Sequence, residues 1–153
     1  MTDTTLADYL AICDTKARYC RCLDTKDWAG FADCFTEDLV LDTTPSGGYR
    51  VEGRDKAVGM VNGSLATTVT VHQVHNPEVH ITGDEARVIW AMQDRLVWGE
   101  DKVAQLGSTG MTGYGHYHER YARCPDGKWR IAEQTLTRLH VEMHGRIVGG
   151  VTA

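Results

Sequence analysis

The period of the apolar positions changes once along the chain. Leu6, Leu10, Cys13, Ala17 and Cys20 are spaced 4, 3, 4 and 3 apart, which predicts one face of an amphipathic helix over residues 5–24. Asp27 is placed to cap a short second helix carrying Trp28, Phe31, Ala32 and Phe35 on one face. Residues 39–43 read as a strand, TPSGG at 44–48 is turn chemistry, and 49–52 is a second short strand. A third helix is expected over 53–64. Beyond it the period falls to two. Strands are predicted over 67–73, 78–82, 86–98 and 114–122, with a last one from Lys128 towards His144, and GDE and PDG mark turns between them. Helices followed by long strands predict an α+β fold, with the N-terminal helices on one face of a strongly curved mixed sheet. Such a sheet, capped by helices, leaves a cone-shaped cavity, which is the default place for a small ligand.

Asp24 interrupts this pattern, because it is the next position on the apolar stripe of the first helix. A carboxylate on a buried seam is costly unless it is paired or hydrogen-bonded. Either the helix has ended by residue 24, or Asp24 has a partner. Tyr19 lies five residues earlier, about 140° round the helix, and is expected to flank the stripe.

The 153 residues, 42% apolar and 24% charged, fit one globular domain with a real core. The net charge of −5 and the lack of a basic run argue against a nucleic-acid partner. No stretch approaches 18 consecutive apolar residues, so no membrane span is expected. The acidic start MTDTTLADYL is unlike a signal peptide. Five cysteines without a CxxC pair point to reduced thiols and a cytoplasmic location.

Seven histidines are candidates for chemistry. His72 and His75, three apart on a strand, point to opposite faces, so one of them is inward and a shared metal is not expected. His116 and His118 share a face at a spacing that can serve zinc. No third ligand is recognisable, however, and a solvent-facing pair with Tyr117 turned to the cavity is preferred. HVEMH at 140–144 lacks the HExxH arrangement. Arg138, in QTLTRLH, reads as a surface or ion-paired arginine. An inward histidine beside a buried aspartate would have a fixed tautomer and a free second nitrogen.

Three stretches carry a resemblance: YCRCLDTKDW at 19–28, HQVHNPEVHI at 72–81 and YHERYARCPDGKWRI at 117–131. Over nearly its whole length the chain resembles the SnoaL-like group of the nuclear-transport-factor-2-like superfamily. Its motifs are most similar to those of the bile-acid 7α-dehydratase and scytalone dehydratase members. The resemblance implies a cone-shaped α+β barrel with an internal pocket and an Asp–His dyad of Asp24 and His72. By motif position it also brings in Tyr19 as a hydrogen-bond donor and Arg138 as a stabiliser of negative charge or a binder of an acidic substrate tail. Leu23 and Thr43 stand where scytalone dehydratase has tyrosines, which disfavours that substrate. Tyr19 stands where the dehydrochlorinase member has lysine, which disfavours dehydrohalogenation. Asp42 is a weaker candidate base by analogy with ketosteroid isomerase.

The expected activity is that of a cofactor-independent dehydratase-type lyase, with no metal or organic cofactor. His72 would take a carbonyl-activated proton from a hydroxylated, apolar, ring-containing substrate of steroid or polyketide type. Trp28, Leu41, Met60, Trp90, Met92, Tyr114 and Tyr117 are the expected remaining walls. An isomerase or a polyketide cyclase using the same pocket, and a non-catalytic binding module, are the alternatives. Family members associate, so a homo-oligomer is expected, a trimer before a dimer.

Overall fold

The computed structural model describes residues 3–145. In chain order it contains α1 (Asp3–Thr25), α2 (Trp28–Asp33), β1 (Phe35–Asp42), a 3-10 turn (Thr44–Ser46), β2 (Arg50–Glu52), α3 (Arg54–Leu65), β3 (Val69–Thr82), β4 (Glu85–Val97), α4 (Glu100–Leu106), β5 (Gly110–Arg123) and β6 (Trp129–His144). The strands make one sheet in the order β2-β1-β6-β5-β4-β3. Among the described residues only β1 and β6 are parallel neighbours. This is the expected α+β cone, with one correction: β2 and β3 are edges, so the sheet does not close into a barrel. α1 packs against β3 and β6, and α3 against β1. Among the described residues no helix is long and apolar enough to cross a membrane.

The first helix forms as expected but presents a different face. Its buried residues are Asp8, Ile12, Thr15, Lys16, Tyr19, Cys22 and Leu23, whereas Leu6 and Leu10 are 49% and 57% exposed. The polar members of the buried face are matched by sheet partners. Asp8 accepts from Trp129 Nε1 at 3.1 Å, Thr15 Oγ1 donates to the Trp129 carbonyl at 2.8 Å, and Lys16 Nζ meets Glu119 Oε1 at 2.6 Å. A hydrophobicity stripe cannot show a face whose polar groups are satisfied only after folding. Tyr19 therefore lies in the core rather than beside it, and Asp24 sits at the helix flank, half-buried against β3.

The two strands expected over 67–73 and 78–82 are one strand, β3, with a bulge between His75 and Glu78 at which Asn76 adopts φ +46°. Before the bulge Thr70, His72 and Val74 are the more buried positions, and after it Val79 and Ile81 are. The extra residue thus switches the inward parity, as a bulge does. A second irregularity, where Arg120 pairs Glu133 and Tyr121 pairs Ile131, does the same on β6. It turns Gln134, Leu136 and Arg138 to the concave side. Helix α4 was not anticipated; its seven residues run between glycines 99 and 107.

Asp27 caps α2, accepting from Gly30 N at 2.9 Å. Helix α3 carries glycines 59 and 63 in its interior, and a Cβ at either would meet nothing within 4 Å. Glycine lowers helix stability through unfolded-state entropy. Gly59→Ala and Gly63→Ala should each raise the unfolding free energy by about 0.5–1 kcal/mol. A urea titration would show a higher midpoint with an unchanged slope.

Candidate active site

Asp24 is held from β3 on three sides. Its Oδ2 accepts from the His72 backbone N–H at 2.8 Å, and its Oδ1 accepts from Thr70 Oγ1 at 2.9 Å and pairs with His72 Nδ1 at 2.7 Å. An ionised carboxylate can only accept, so the proton of this last bond resides on Nδ1. Lys26, in the left-handed region at φ +63°, closes the helix end and donates to Thr70 Oγ1 at 2.9 Å. With its lone pair engaged, Thr70 directs its own proton to Asp24. The His72 side chain is 6% exposed, and its Nε2 makes no hydrogen bond among the described residues.

Beside the dyad the concave face holds a partly open cavity of about 180 Å³. Most of its wall is apolar: Leu23, Phe31, Phe35, Leu39 and Leu41 on one side, with Ala57, Met60 and Leu65 of α3 across from them. The polar wall groups are Tyr19, Thr43, Asp94, Tyr117, Gln134 and Arg138. His72 and Asp24 are not part of this wall. Their neighbours are: Leu23 precedes Asp24, and Asp94 is the cross-strand partner of His72. Directly opposed residues have Cβ atoms about 4.5–5.5 Å apart, so a ligand touching Asp94 is one side chain away from His72.

Asp94 was not anticipated. It is 4% exposed and takes the Arg138 guanidinium in a two-pronged pair, Nη1–Oδ1 at 2.5 Å and Nη2–Oδ2 at 2.6 Å. Continuing the inward positions Val88, Trp90 and Met92 two residues along β4 reaches Asp94, so the signal was in the sequence. The pair offsets the charge of Arg138, while the guanidinium, with five N–H donors, keeps others beyond the two that Asp94 takes, and it lines the cavity. Gly113 lies between the two strands. A Cβ there would collide with Arg138 Nη1 and Asp94 Oδ1.

In the cavity wall Tyr19 Oη accepts from Gln134 Nε2 at 3.0 Å. Burial pushes the Tyr19 and Tyr117 hydroxyls well above the usual phenol range, so both stay protonated donors. Lys16 Nζ lies 3.7 Å and 3.8 Å from the centroids of these two rings, and Glu119, which also accepts from Tyr121 at 2.7 Å, balances its charge.

Of the expected walls, Leu41, Met60 and Tyr117 line the cavity, and Trp28, Trp90, Met92 and Tyr114 do not. Trp28 packs outside Phe31, with ring centroids 6.2 Å apart. Trp90 and Met92 are buried along β4 outside the cavity wall, and Trp90 pairs directly with Tyr117, which lines it. Tyr114, beside a register shift in β5, stacks on His140 at 6.2 Å instead. Asp42 accepts from the Thr44 N–H and hydroxyl and so serves the turn. His75 is exposed, and His118 pairs with Thr137 Oγ1 at 3.1 Å.

This chain belongs to the SnoaL-like domain family, whose model matches residues 4–135. It is 26% identical over 135 residues to "Probable cyclase FGR4" of Gibberella zeae, covering 82% of this chain and 87% of that one. Among solved structures it is similar to "Putative Scytalone Dehydratase" from Novosphingobium aromaticivorans, with a TM-score of 0.81 and 22% identity over 93% of this chain and 91% of that one. It is also similar to the hexachlorocyclohexane dehydrochlorinase LinA Type2, with a TM-score of 0.77 and 17% identity over 97% and 94%. These structural likenesses show the fold.

Two outcomes follow from the geometry. Burial alone would raise the Asp24 carboxyl, but the bonds from the His72 ring and amide and from Thr70 outweigh it and hold the carboxyl below its ordinary 3.8. A lowered folded-state pKa contributes stability that is complete above 3.8 and is lost as pH falls through the folded value. Acid unfolding of Asp24→Asn should therefore show a shallower loss of stability below that pH than the wild type. Gly113→Ala should displace Arg138 from Asp94 and cost about 1–3 kcal/mol, read as a lowered unfolding temperature.

Proposed function

We propose that this chain is a cofactor-independent lyase that removes water from a hydroxylated, ring-bearing carbonyl compound. The observation that carries this reading is the His72 ring. It is pinned through Nδ1 to Asp24 at 2.7 Å, leaves Nε2 unbonded, and is the cross-strand neighbour of a cavity residue. A histidine held this way is a positioned general base.

In the proposed reaction Nε2 takes the proton alpha to the substrate carbonyl. The C–H electron pair passes into an enolate, whose oxygen is the sink for the charge. Collapse of the enolate expels the hydroxyl group on the beta carbon, which leaves as water once it regains a proton from the His72 imidazolium. The product is a conjugated enone. Asp24 orients the ring and offsets its positive charge while the proton is held. Tyr19 donates a hydrogen bond to the enolate or to the departing oxygen. Arg138, held by Asp94 in the cavity wall, orders that wall and turns its remaining N–H donors to the developing negative charge. The carbonyl is the electron sink, so the chemistry requires no further group.

The cyclase name of the Gibberella zeae relative supports a second reading. An enolate formed by the same base could attack a carbonyl within the substrate instead of losing hydroxide. Both readings begin with proton abstraction by His72 and divide afterwards.

A set of cyclic beta-hydroxy ketones, starting with 3-hydroxycyclohexanone, tests the proposal through enone absorbance and exchange of alpha protons in deuterated water. The wild type should accelerate both. His72→Ala should lose roughly 10² to 10⁴ of the rate, and Tyr19→Phe about 10² to 10³. Turnover by His72→Ala at the wild-type rate would sink the proposal. A wild type that binds these ketones yet neither exchanges nor eliminates would leave a binding module.

A further inference from the structure

Gln134 is 2% exposed, lines the cavity, and has a side-chain oxygen with no hydrogen-bond partner among the described residues. Its amide nitrogen is engaged, donating to Tyr19 Oη at 3.0 Å. A buried acceptor left unpaired is unfavourable, and native interiors hold few of them. This one is next to a phenol whose oxygen already accepts a bond, so the Tyr19 proton is directed away from Gln134. At Gln134 and Tyr19 a mostly apolar cavity therefore offers an acceptor and a donor side by side. A hydroxyl group, which both donates and accepts, satisfies the two together. An ether or a carbonyl can serve only the donor.

Charge and size restrict the ligand further. Among the described residues the only charged ones in the cavity wall are Asp94 and Arg138, which neutralise each other through both prongs of the guanidinium. Nothing in the wall is left to balance a carboxylate or an ammonium. Enclosed cavities of about 150 Å³ lined by aliphatic and aromatic side chains hold one benzene ring, and this one, about 180 Å³ and partly open, holds one ring within its walls.

We propose that Gln134 and Tyr19 form a hydroxyl-binding subsite, and that the site takes a neutral ligand of one ring carrying a hydroxyl group. This deepens the lyase reading and rests on it for the identity of the pocket. Gln134 Oε1 accepts the ligand O–H, and Tyr19 donates to the same oxygen. The ligand is anchored there while the remainder of the ring extends along the wall towards Asp94.

Calorimetric titration of the full chain with p-cresol, 4-methylanisole, toluene and p-toluate tests the subsite without requiring turnover. In the wild type p-cresol should bind roughly tenfold or more tightly than the other three, a hydrogen bond or two in value. Gln134→Leu should erase the preference for p-cresol over toluene while still binding toluene, which shows that its cavity is intact. Tyr19→Phe should reduce the preference. His72→Ala should keep it in full, so that failure of the base and failure of the subsite read out separately. The proposal is overturned if 4-methylanisole or p-toluate matches p-cresol in the wild type, or if Gln134→Leu retains the preference. Displacement of p-cresol by equimolar testosterone would overturn the one-ring limit.

Discussion

The rotation of α1 about its own axis is set by one buried ion pair. Lys16 and Glu119 have no exposed side-chain surface and meet at 2.6 Å. Removing either partner would leave an uncompensated charge in the core, which costs about 3–5 kcal/mol. The helix therefore cannot turn its more hydrophobic stripe of Leu6, Leu10 and Cys13 to the sheet. Everything further along α1 inherits that setting. Tyr19, three residues on, is delivered to the cavity wall with its ring against the Lys16 ammonium. Asp24, eight residues on, arrives at the flank facing β3, where His72 and Thr70 donate to it.

The sheet supplies the other half of the site through departures from regular pairing. The bulge between His75 and Glu78 lets β3 keep His72 inward near one end while Val79 and Ile81 face inward at the other. The irregularity near Ala132 brings Gln134 and Arg138 onto the concave face. Gly113 leaves the space in which Arg138 reaches across β5 to Asp94. Each feature adds or removes one small unit of backbone or side chain, and the last two decide which polar groups meet the cavity.

These features mark where the sequence was legible and where it was not. Element types followed from period and caps, because amphipathic spacing and the Asp27 cap are local properties. The meeting of Asp24 with His72 spans 48 residues and was reached through family resemblance, since nothing local fixes it. The buried face of α1 was hidden because Asp8, Thr15 and Lys16 look solvent-facing until their partners on β5 and β6 are known. Bulges were invisible for a similar reason: strand parity reads cleanly only within an uninterrupted strand. Tyr114 and Trp90 were assigned to the wall by residue type, and register moved one outward and the other deeper. Asp94 and Gln134 are the reverse case, polar residues on inward positions whose significance appears only with the cavity beside them.

The most direct measurement is nitrogen NMR of the His72 ring in the free protein, at a pH where the imidazole is neutral. The geometry at Asp24 requires the proton on Nδ1 and a bare lone pair on Nε2, the atom assigned to take the substrate proton. The wild type should show that tautomer, and Asp24→Asn should lose its strict preference. A wild-type ring protonated on Nε2 would contradict the role of His72 as a base.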